Sequence, residues 1–264
     1  MPNAIECRDV HLTYGGRGRT RAVEALRGIG FGVDEGQFAS ILGPSGCGKS
    51  TLLKIIADLL PPSSGTVKVF GRQPHEARQE RSFGFVFQTP VLFPWRTALE
   101  NAAIMLEVQG VPRKERLATA RQNLELVGLS GFEASRPGEL SGGMQQRVSI
   151  ARALSFDPRI LLMDEPFGAL DAITRDRMGF ELLRIWERAR KTVLFVTHSI
   201  SEAVLLSDVV ITFTVRPGRV RAVHRIELPR PRTQETRLSP RFIDYTRRLL
   251  RDLEEDDGAV PEAG

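Results

Sequence analysis

Residues 42–51 read LGPSGCGKST, a stretch that combines three glycines with a lysine and two consecutive hydroxyl residues. The apolar residues 37–42 predict a short strand before it, and the apolar spacing from Thr51 to Leu60 predicts a helix after it. Gly43–Ser50 therefore matches the pattern G-x-x-x-x-G-K-[ST] in the strand-loop-helix context of a phosphate-binding loop. A glycine-rich surface turn is the alternative, and the flanking strand and helix argue against it.

The glycines of this phosphate loop let the main chain approach a ligand closely, because no side chain stands in the way. The successive amides from Gly46 to Lys49 can surround phosphate oxygens, and the helix that follows adds its positive dipole end. Lys49 would neutralise the β- and γ-phosphates of a nucleotide, and the Ser50 hydroxyl would bind Mg²⁺. The predicted nucleotide-binding residues of the loop are Gly43, Pro44, Ser45, Gly46, Cys47, Gly48, Lys49, Ser50 and Thr51.

A second motif, ILLMDEP at 160–166, ends an apolar strand abruptly in two carboxylates. Negative charge at the end of a buried strand is costly unless a cation is present, and Mg²⁺ would supply that cation. Asp164 would then hold the metal, directly or through water, and Glu165 would polarise an attacking water as general base. Taken alone, such a pair is equally typical of a helix cap.

A third motif is the signature segment, LSGGMQQR at 140–147. Ser141 is a good residue to cap the start of a helix, and Gly142 and Gly143 let a phosphate approach the backbone. The residues after them continue a helical pattern as far as Asp157-Pro158. The sequence thus predicts a second helix end that can bind an anion.

The remaining chain predicts an α/β fold with a parallel or mixed sheet, an N-terminal antiparallel β region and an inserted helical subdomain at about 89–158. A helix predicted at 173–190 would bury one face that carries Met178, Leu182, Ile185, Trp186 and Ala189. The predicted strands are 4–14, 23–33, 37–42, 65–71, 81–88, 159–165 and 192–198.

The composition is that of an ordinary globular protein, with 264 residues of which 41% are hydrophobic. No apolar run reaches the roughly 20 residues of a membrane helix. The first ten residues lack the pattern of a secretory signal, so a cytoplasmic location is expected. With only Cys7 and Cys47 present, no disulfide is expected.

The chain has a net charge of +5, and its charges are unevenly distributed toward the end of the chain. Residues 216–251 hold eleven arginines and three acidic residues, a net of +8, and residues 252–264 hold six acidic residues and no base. The Arg-rich segment is either a solvated surface or a region that attracts anionic lipid or a polyanion. It lacks the interleaved aromatic residues that stack on bases, so no nucleic-acid partner is expected.

At the signature segment the chain resembles the ATP-binding cassette superfamily, although Met144 stands where that family often has glutamine. The family's motifs recur in order over nearly the whole chain, which implies a P-loop NTPase core within an ATPase domain at 1–240, followed by a C-terminal helix and frayed acidic tail at 241–264. Its other matching residues are Tyr14, placed like the aromatic that stacks on adenine, Gln88 of the Q-loop, Asp171 of GALD at 168–171, and the switch histidine, His198.

This resemblance implies roles that the individual residues alone do not establish. Gln88 would sense the metal and the attacking water, and His198 would contact the γ-phosphate and hold Glu165 and the water in line. Without this context, a histidine at a strand end is more often structural, and a buried strand aromatic is an alternative for Tyr14. The signature of one copy, Ser141–Gly143, would cap the γ-phosphate bound by a second copy, with Asp171 acting across the boundary. ATP would therefore hold a homodimer together.

Four further stretches, LFPWRTALEN, FGALDAITR, THSISEAVLLSDVV and RPGRV, look most like the ATPase subunits of importers for nitrate, sulfonate, taurine and related solutes. The resemblance implies a peripheral protein at the cytoplasmic face of the membrane, coupled to permease subunits and, through them, to a solute-binding protein. The apolar residues after Gln88 suit a groove for a permease helix, or Phe93 and Trp95 simply pin the helical subdomain. Two other functions remain open: a soluble cassette acting on nucleic acid or an assembly factor through 216–251, and a small-molecule kinase, which has no use for Ser141–Gly143.

Overall fold

The computed structural model of the chain divides into two compact units. The first unit holds the chain up to Ser82 and from Thr192 onward, and the second runs from Phe83 to Lys191. The residues that the structure describes are 3–15, 22–168, 170–189 and 191–257.

Three parts of the sequence predictions lie outside these residues. They are most of the turn GGRGRT, Ala169 within GALD, and residues 258–264 of the acidic tail. The domain limits predicted from the sequence, 1–240 with an insertion at 89–158, stay predictions.

The secondary structure alternates between strands and helices along most of the chain. In chain order the strands are β1 (Asn3–Tyr14), β2 (Val23–Asp34), β3 (Phe38–Leu42), β4 (Ser64–Val69), β5 (Phe83–Val86), β6 (Ile160–Asp164), β7 (Thr192–Thr197), β8 (Val209–Phe213) and β9 (Val220–Arg225). The helices are α1 (Lys49–Ile56), α2 (Pro74–Gln79), α3 (Ala98–Val108), α4 (Arg113–Leu126), α5 (Gly142–Leu154), α6 (Ala172–Ala189), α7 (Ile200–Leu206), α8 (Gln234–Leu238) and α9 (Pro240–Asp257).

The first unit contains two groups of paired strands. In one, β1 is antiparallel to both β2 and β4, which confirms the predicted N-terminal antiparallel region. In the other, β3 is parallel to β7 and β8, and β8 is antiparallel to β9. Every residue of β3, β7 and β8 is buried, as expected of strands covered on both faces. Because parallel strands end at the same edge, the segments after β3 and β7 emerge together.

The second unit combines one parallel strand pair, β5 and β6, with the helices α3 to α6. Thr97 caps the start of α3 in a capping box. Its hydroxyl accepts from the Glu100 backbone N–H, and the Glu100 carboxylate accepts from the Thr97 backbone N–H. The predicted apolar face of α6 is confirmed at four of its five positions, because Met178, Leu182, Ile185 and Trp186 are buried. The side chain of the fifth, Ala189, lies outside the described residues.

The helix after the phosphate loop is displaced from its predicted position. It was expected at Thr51–Leu60, but α1 runs from Lys49 to Ile56. Asp58 takes a left-handed backbone conformation, with φ +57°, which ends the helix before the two prolines. Starting α1 at Lys49 places its first amides directly against the loop.

Both cysteines are buried, and neither forms a disulfide, which agrees with the prediction from the sequence. Burial raises the pKa of the Cys7 thiol to about 12, so this thiol stays protonated and unreactive at neutral pH. Within the part of the chain that the structure describes, no helix is both long enough and apolar enough to cross a membrane.

Candidate functional site

The phosphate loop connects the buried strand β3 to α1 and closes around the Lys49 side chain. Lys49 is 3% exposed, and its Nζ donates to the backbone carbonyl oxygens of Gly43 and Pro44, each at 2.8 Å. The ammonium group is thus held inside the loop by main-chain oxygens. A positive charge fixed in this way is suited to a polyanionic ligand.

Two glycines of the loop meet conditions that no other residue satisfies well. Gly46 and Gly48 have φ +77° and +102°, in the left-handed region. A Cβ on Gly48 would also lie 2.6 Å from Cδ2 of Leu26 and 2.9 Å from the carbonyl oxygen of Ala25. The loop therefore rests tightly against β2, and its curvature depends on these glycines.

Tyr14 lies beside the start of α1, at the end of β1. Its hydroxyl is 3.1 Å from the Thr51 hydroxyl, and the residue is 43% exposed. The alternative of a buried strand aromatic is therefore wrong. An exposed ring next to the phosphate loop is consistent with stacking on a nucleotide base, which stays a prediction.

His198 follows β7 at the same edge from which the phosphate loop emerges. Leu42, the residue before the loop, pairs in register with Thr197, the residue before His198. His198 is exposed, so its imidazole is accessible at this edge of the sheet. The sequence expectation that both belong to one site is consistent with this register.

The two neighbours of His198 are fixed by Glu202, a residue that the sequence reasoning missed. The Thr197 hydroxyl donates to the buried Glu202 carboxylate at 2.5 Å and accepts from the Ser199 backbone N–H at 2.9 Å. Ser199 in turn caps α7 by accepting from the Glu202 backbone N–H. The Ser-x-x-Glu spacing was the available signal, because it is that of a capping box.

In the second unit, Asp164, Glu165 and Gln88 lie at one edge of the β5–β6 pair. Val86 pairs with Met163, so the segments that carry these residues leave the strands side by side. A Cβ on Gly168 would lie 3.5 Å from Nε2 of Gln88 and 3.7 Å from Oε2 of Glu165, which places both side chains around this glycine.

Asp164 and Glu165 differ in their surroundings. Asp164 is buried at the end of β6, whereas Glu165 is half-buried. Glu165 has φ +40°, a backbone conformation that costs a non-glycine residue on the order of 1 kcal/mol. Such strain persists where the surroundings impose it, and functional sites are where it concentrates.

The signature segment places an open helix end in the second unit. The Ser141 hydroxyl accepts from the Met144 backbone N–H at 3.3 Å, which confirms it as the cap of α5. Ser141 and Gly142 are exposed, while Gly143 is buried and a Cβ there would lie 3.3 Å from Cγ2 of Thr174. The start of α5 is therefore exposed at Ser141 and Gly142, where a helix end is suited to an anion.

Helix α5 also holds the segment that contains Gln88. The Gln146 side chain, 2% exposed, donates to the Phe87 carbonyl oxygen at 3.2 Å, and the Arg152 guanidinium donates to the Val91 carbonyl oxygen. The segment on both sides of Gln88 is thus fastened to the helix that begins at the signature. Sequence reasoning did not identify either contact, because each joins residues about 60 positions apart.

Asp171 caps the start of α6. Its Oδ1 accepts from the Thr174 backbone N–H at 3.0 Å, and this hydrogen bond holds the pKa of the carboxyl below its usual range. This contact gives Asp171 a structural role within the chain. The role across a dimer boundary that the resemblance implied stays a prediction.

An apolar docking groove opens in the second unit beside the Gln88 segment. It has a volume of about 420 Å³, with the Arg152 guanidinium in its wall. Trp95 stands close by, 67% exposed, with its ring centroid 5.3 Å from that of Phe93. Trp95 is too exposed to pin the helical subdomain by itself, and the use of this surface by a partner stays a prediction. The apolar lining includes Phe85, Phe87, Val91, Phe93, Met105 and Val108.

Comparisons with known proteins agree with this geometry. The family described as ABC transporter matches residues 26–168. The taurine import ATP-binding protein TauB of Rhizobium johnstonii is 47% identical over 85% of this chain and 87% of its own. The aliphatic sulfonates import ATP-binding protein SsuB of Bacillus cereus is 43% identical over 89% and 91% of the two chains. A dimeric ATP-binding cassette in a post-hydrolysis state with ADP and Pi has a TM-score of 0.73 and 35% identity, over 84% of this chain and 99% of that one.

Proposed function

We propose that this chain, which belongs to the family of ABC transporter ATPases, closes as a homodimer around two ATP molecules to drive uptake of a small solute. Nitrate, a sulfonate, taurine or a similar solute is the proposed cargo. The observation that carries the dimer is the exposed start of α5 at Ser141 and Gly142, a second helix end suited to an anion in addition to the phosphate loop.

Nucleotide binding is assigned to the first unit. Lys49 and the amides of the phosphate loop would bind the β- and γ-phosphates, because the loop presents a fixed positive charge and left-handed glycines in one turn. The exposed ring of Tyr14 would stack on the adenine, with its hydroxyl anchored at Thr51.

Magnesium is the proposed metal, and the residues available fit it. The Ser50 hydroxyl, the Asp164 carboxylate and the Gln88 amide offer only hard oxygen ligands, which Mg²⁺ prefers, together with phosphate oxygens. When bound, the metal would neutralise charge on the β- and γ-phosphates.

Hydrolysis is assigned to Glu165 with help from His198 and Gln88. Glu165 would accept the proton of a water as the water oxygen attacks the γ-phosphorus and the bond to ADP breaks, giving ADP and phosphate. The imidazole of His198, held between Thr197 and Ser199, would donate to the γ-phosphate. Gln88, whose side chain lies near that of Glu165 beside Gly168, would help to hold the water.

The signature segment would complete the site in a second copy. The exposed start of α5 would meet the γ-phosphate held by its partner's loop, with Asp171 near the boundary. Negative charge between two positive helix ends favours the closed dimer, and release of phosphate removes that attraction. ATP binding would thereby close the dimer, and hydrolysis with release of phosphate would let it open.

Ser141→Arg should block turnover while leaving ATP binding to the isolated subunit intact. The added side chain would fill the open end of α5, which lies on the surface rather than in the phosphate loop. We expect steady-state phosphate release to fall by about 100-fold or more, and the ATP dissociation constant to stay within about twofold.

Ser141→Thr is the matched control, because it keeps the hydroxyl that caps α5, and it should retain most of the activity. An equal loss of binding and turnover in Ser141→Arg would place the signature segment elsewhere.

The docking groove is proposed to receive a permease segment at the cytoplasmic face of the membrane. Its lining is apolar, Arg152 provides a positive charge in the wall, and Trp95 offers an exposed ring nearby. A short apolar helix with an acidic residue would match this surface in shape and charge. The solute-binding protein would contact the permease rather than this chain.

Co-purification from native membranes tests the importer assignment directly. The tagged wild-type chain should carry permease subunits, and Val108→Arg should lose them because it places a charge among the groove residues while nucleotide binding stays normal. Leu238→Arg, at an equally exposed apolar residue on α8, is the control and should keep the permease. Recovery of nucleic acid in place of membrane proteins would contradict the assignment.

A nucleic-acid role has weaker support, because several arginines of the segment 216–251 are used inside the protein. Arg232 is buried and donates to five backbone carbonyl oxygens. Arg230 forms an ion pair with Asp208 at 2.7 Å, and Arg216 donates to Gly46. Part of the positive charge that the sequence assigned to a surface therefore stabilises the fold.

A further inference from the structure

The segment between β8 and β9 contacts the phosphate loop through Arg216. Both Nε and Nη2 of its guanidinium donate to the Gly46 carbonyl oxygen, at 3.1 and 2.9 Å. Gly46 is 170 residues away in the chain and lies at the turn of the loop, where its φ is +77°. A side chain from the last third of the chain thus reaches the backbone that is proposed to bind phosphate.

The backbone next to Arg216 is also held against β2 and the phosphate loop. The Gly218 backbone N–H donates to the Ala25 carbonyl oxygen at 3.0 Å, and the Arg27 backbone N–H donates to the Gly218 carbonyl oxygen at 2.9 Å. A Cβ on Gly218 would lie 2.0 Å from the Cys47 carbonyl oxygen. The segment therefore contacts both β2 and the phosphate loop, and these contacts fix the backbone from which the Arg216 side chain extends.

The contact has a defined effect on one peptide unit. The carbonyl of Gly46 and the N–H of Cys47 belong to the same planar trans peptide, so they point in opposite directions. When Arg216 fixes the carbonyl on the outer side of the loop, the Cys47 N–H is fixed on the other side. The positively charged guanidinium beside the carbonyl oxygen also polarises the peptide, and this makes the Cys47 N–H a stronger hydrogen-bond donor.

Lys49 and Arg216 together account for three carbonyl oxygens of the loop. Lys49 binds those of Gly43 and Pro44, and Arg216 binds that of Gly46. A carbonyl oxygen that faced a triphosphate would repel it, whereas an amide attracts it. Because Lys49 and Arg216 bind these three carbonyl oxygens, the backbone amides of the loop are the groups that remain to bind a phosphate.

We propose that Arg216 is a positioning residue for nucleotide binding, which holds the Gly46–Cys47 peptide with its N–H toward the phosphate. This inference rests on the proposed function of the phosphate loop. Arg216 acts through the backbone and not on the reacting atoms, so its loss should raise the dissociation constant for ATP without changing the rate at saturating ATP.

The test measures ATP binding to the full chain by displacement of a fluorescent ADP analogue, and phosphate release over a range of ATP concentrations. Arg216→Ala should raise the ATP dissociation constant and KM about 5- to 10-fold, with kcat within about twofold of wild type. Arg216→Lys, which keeps a cationic donor, should recover most of the affinity. Arg219→Ala removes the same charge from the same exposed segment and should bind ATP like the wild type.

The possible results distinguish a positioning role of Arg216 from a general attraction of ATP by positive charge. Equal weakening in Arg216→Ala and Arg219→Ala would overturn the inference in favour of long-range attraction, and ATP affinity within about twofold of wild type in Arg216→Ala would overturn it outright. Arg216→Gln provides a second neutral variant, and it should weaken binding in the same direction because the charge is lost.

Lys49→Ala, measured in the same assays, separates the role of Arg216 from the underlying proposal that the phosphate loop binds nucleotide. Normal binding in Lys49→Ala would mean that the proposed function of the loop is wrong. Lost binding in Lys49→Ala with wild-type binding in Arg216→Ala would leave the loop assigned and remove only the role of Arg216.

Discussion

Lys49→Ala should lower the affinity for ATP by at least about 100-fold and abolish measurable turnover. The ammonium group is buried within the phosphate loop and donates to the Gly43 and Pro44 carbonyl oxygens. Its removal takes away the fixed positive charge and also leaves two oxygens unpaired where the phosphates are proposed to bind. Titration of the purified chain with Mg-ATP, followed calorimetrically, measures the loss.

Lys54→Ala is the matched control for this variant. Lys54 is an exposed lysine on α1, the helix that Lys49 begins, so it tests the loss of a lysine outside the loop. It should bind ATP within about twofold of wild type, since an exposed charge is largely screened. Retention of wild-type ATP affinity by Lys49→Ala would remove the role assigned to the loop.

Thermal unfolding separates lost binding from lost folding. A ligand that binds only the native state raises the midpoint of unfolding, by an amount set by its concentration relative to its dissociation constant. Mg-ADP should therefore stabilise the wild type and Lys54→Ala but leave Lys49→Ala unchanged. A Lys49→Ala chain that unfolds cooperatively without nucleotide shows that the loop, and not the fold, was damaged.

The strands that carry the phosphate loop and the acidic pair could be predicted because local signals coincide there. An apolar run, a glycine pattern and a helix start follow one another at 37–60, and β3 and α1 appear close to the expected places. The helix was misplaced by a few residues, because spacing alone does not show where the left-handed Asp58 ends it.

The region after β7 was harder to predict for a physical reason. All five residues of β8 and five of the seven residues of α7 are buried, and most residues of both elements are apolar. Periodicity identifies an element only when one face is polar, and an element covered on all sides shows none. Periodicity therefore does not separate α7 from β8, and the capping spacing from Ser199 to Glu202 was the signal available for the start of α7.

Long-range side-chain contacts were missed because the sequence carries no distance information. The guanidinium of Arg232 donates to carbonyl oxygens near the end of α7, up to 28 residues away in the chain. Counting charge over 216–251 could not distinguish this buried arginine from its exposed neighbours. The same holds for Arg216, whose partner in the phosphate loop is visible only in the folded chain.

Glu165→Gln should slow phosphate release by about 100- to 10,000-fold while ATP binding is retained. The exchange keeps the size of the side chain and removes its ability to accept a proton from water. Because the amide is also neutral, it removes repulsion between the carboxylate and the γ-phosphate. Glu181→Gln, the same exchange on α6, should leave turnover within about twofold of wild type.

The same variant provides the most direct test of the dimer. With hydrolysis blocked, ATP stays in place, and the closed pair should persist long enough to elute as a dimer when light scattering is measured on a sizing column in Mg-ATP. ADP should give a monomer, because the γ-phosphate that joins the two copies is missing. Elution of Glu165→Gln only as a monomer in ATP would count against the shared site.

Combining Glu165→Gln with Ser141→Arg decides whether the start of α5 makes that contact. The first change preserves ATP and the second fills the exposed helix end in the second unit, so the two act on separate steps. If the signature of one copy meets the nucleotide of the other, the double variant should bind ATP normally and remain monomeric. A double variant that still dimerises would show that the copies meet through a different surface, because the only group altered at the proposed boundary would have proved dispensable.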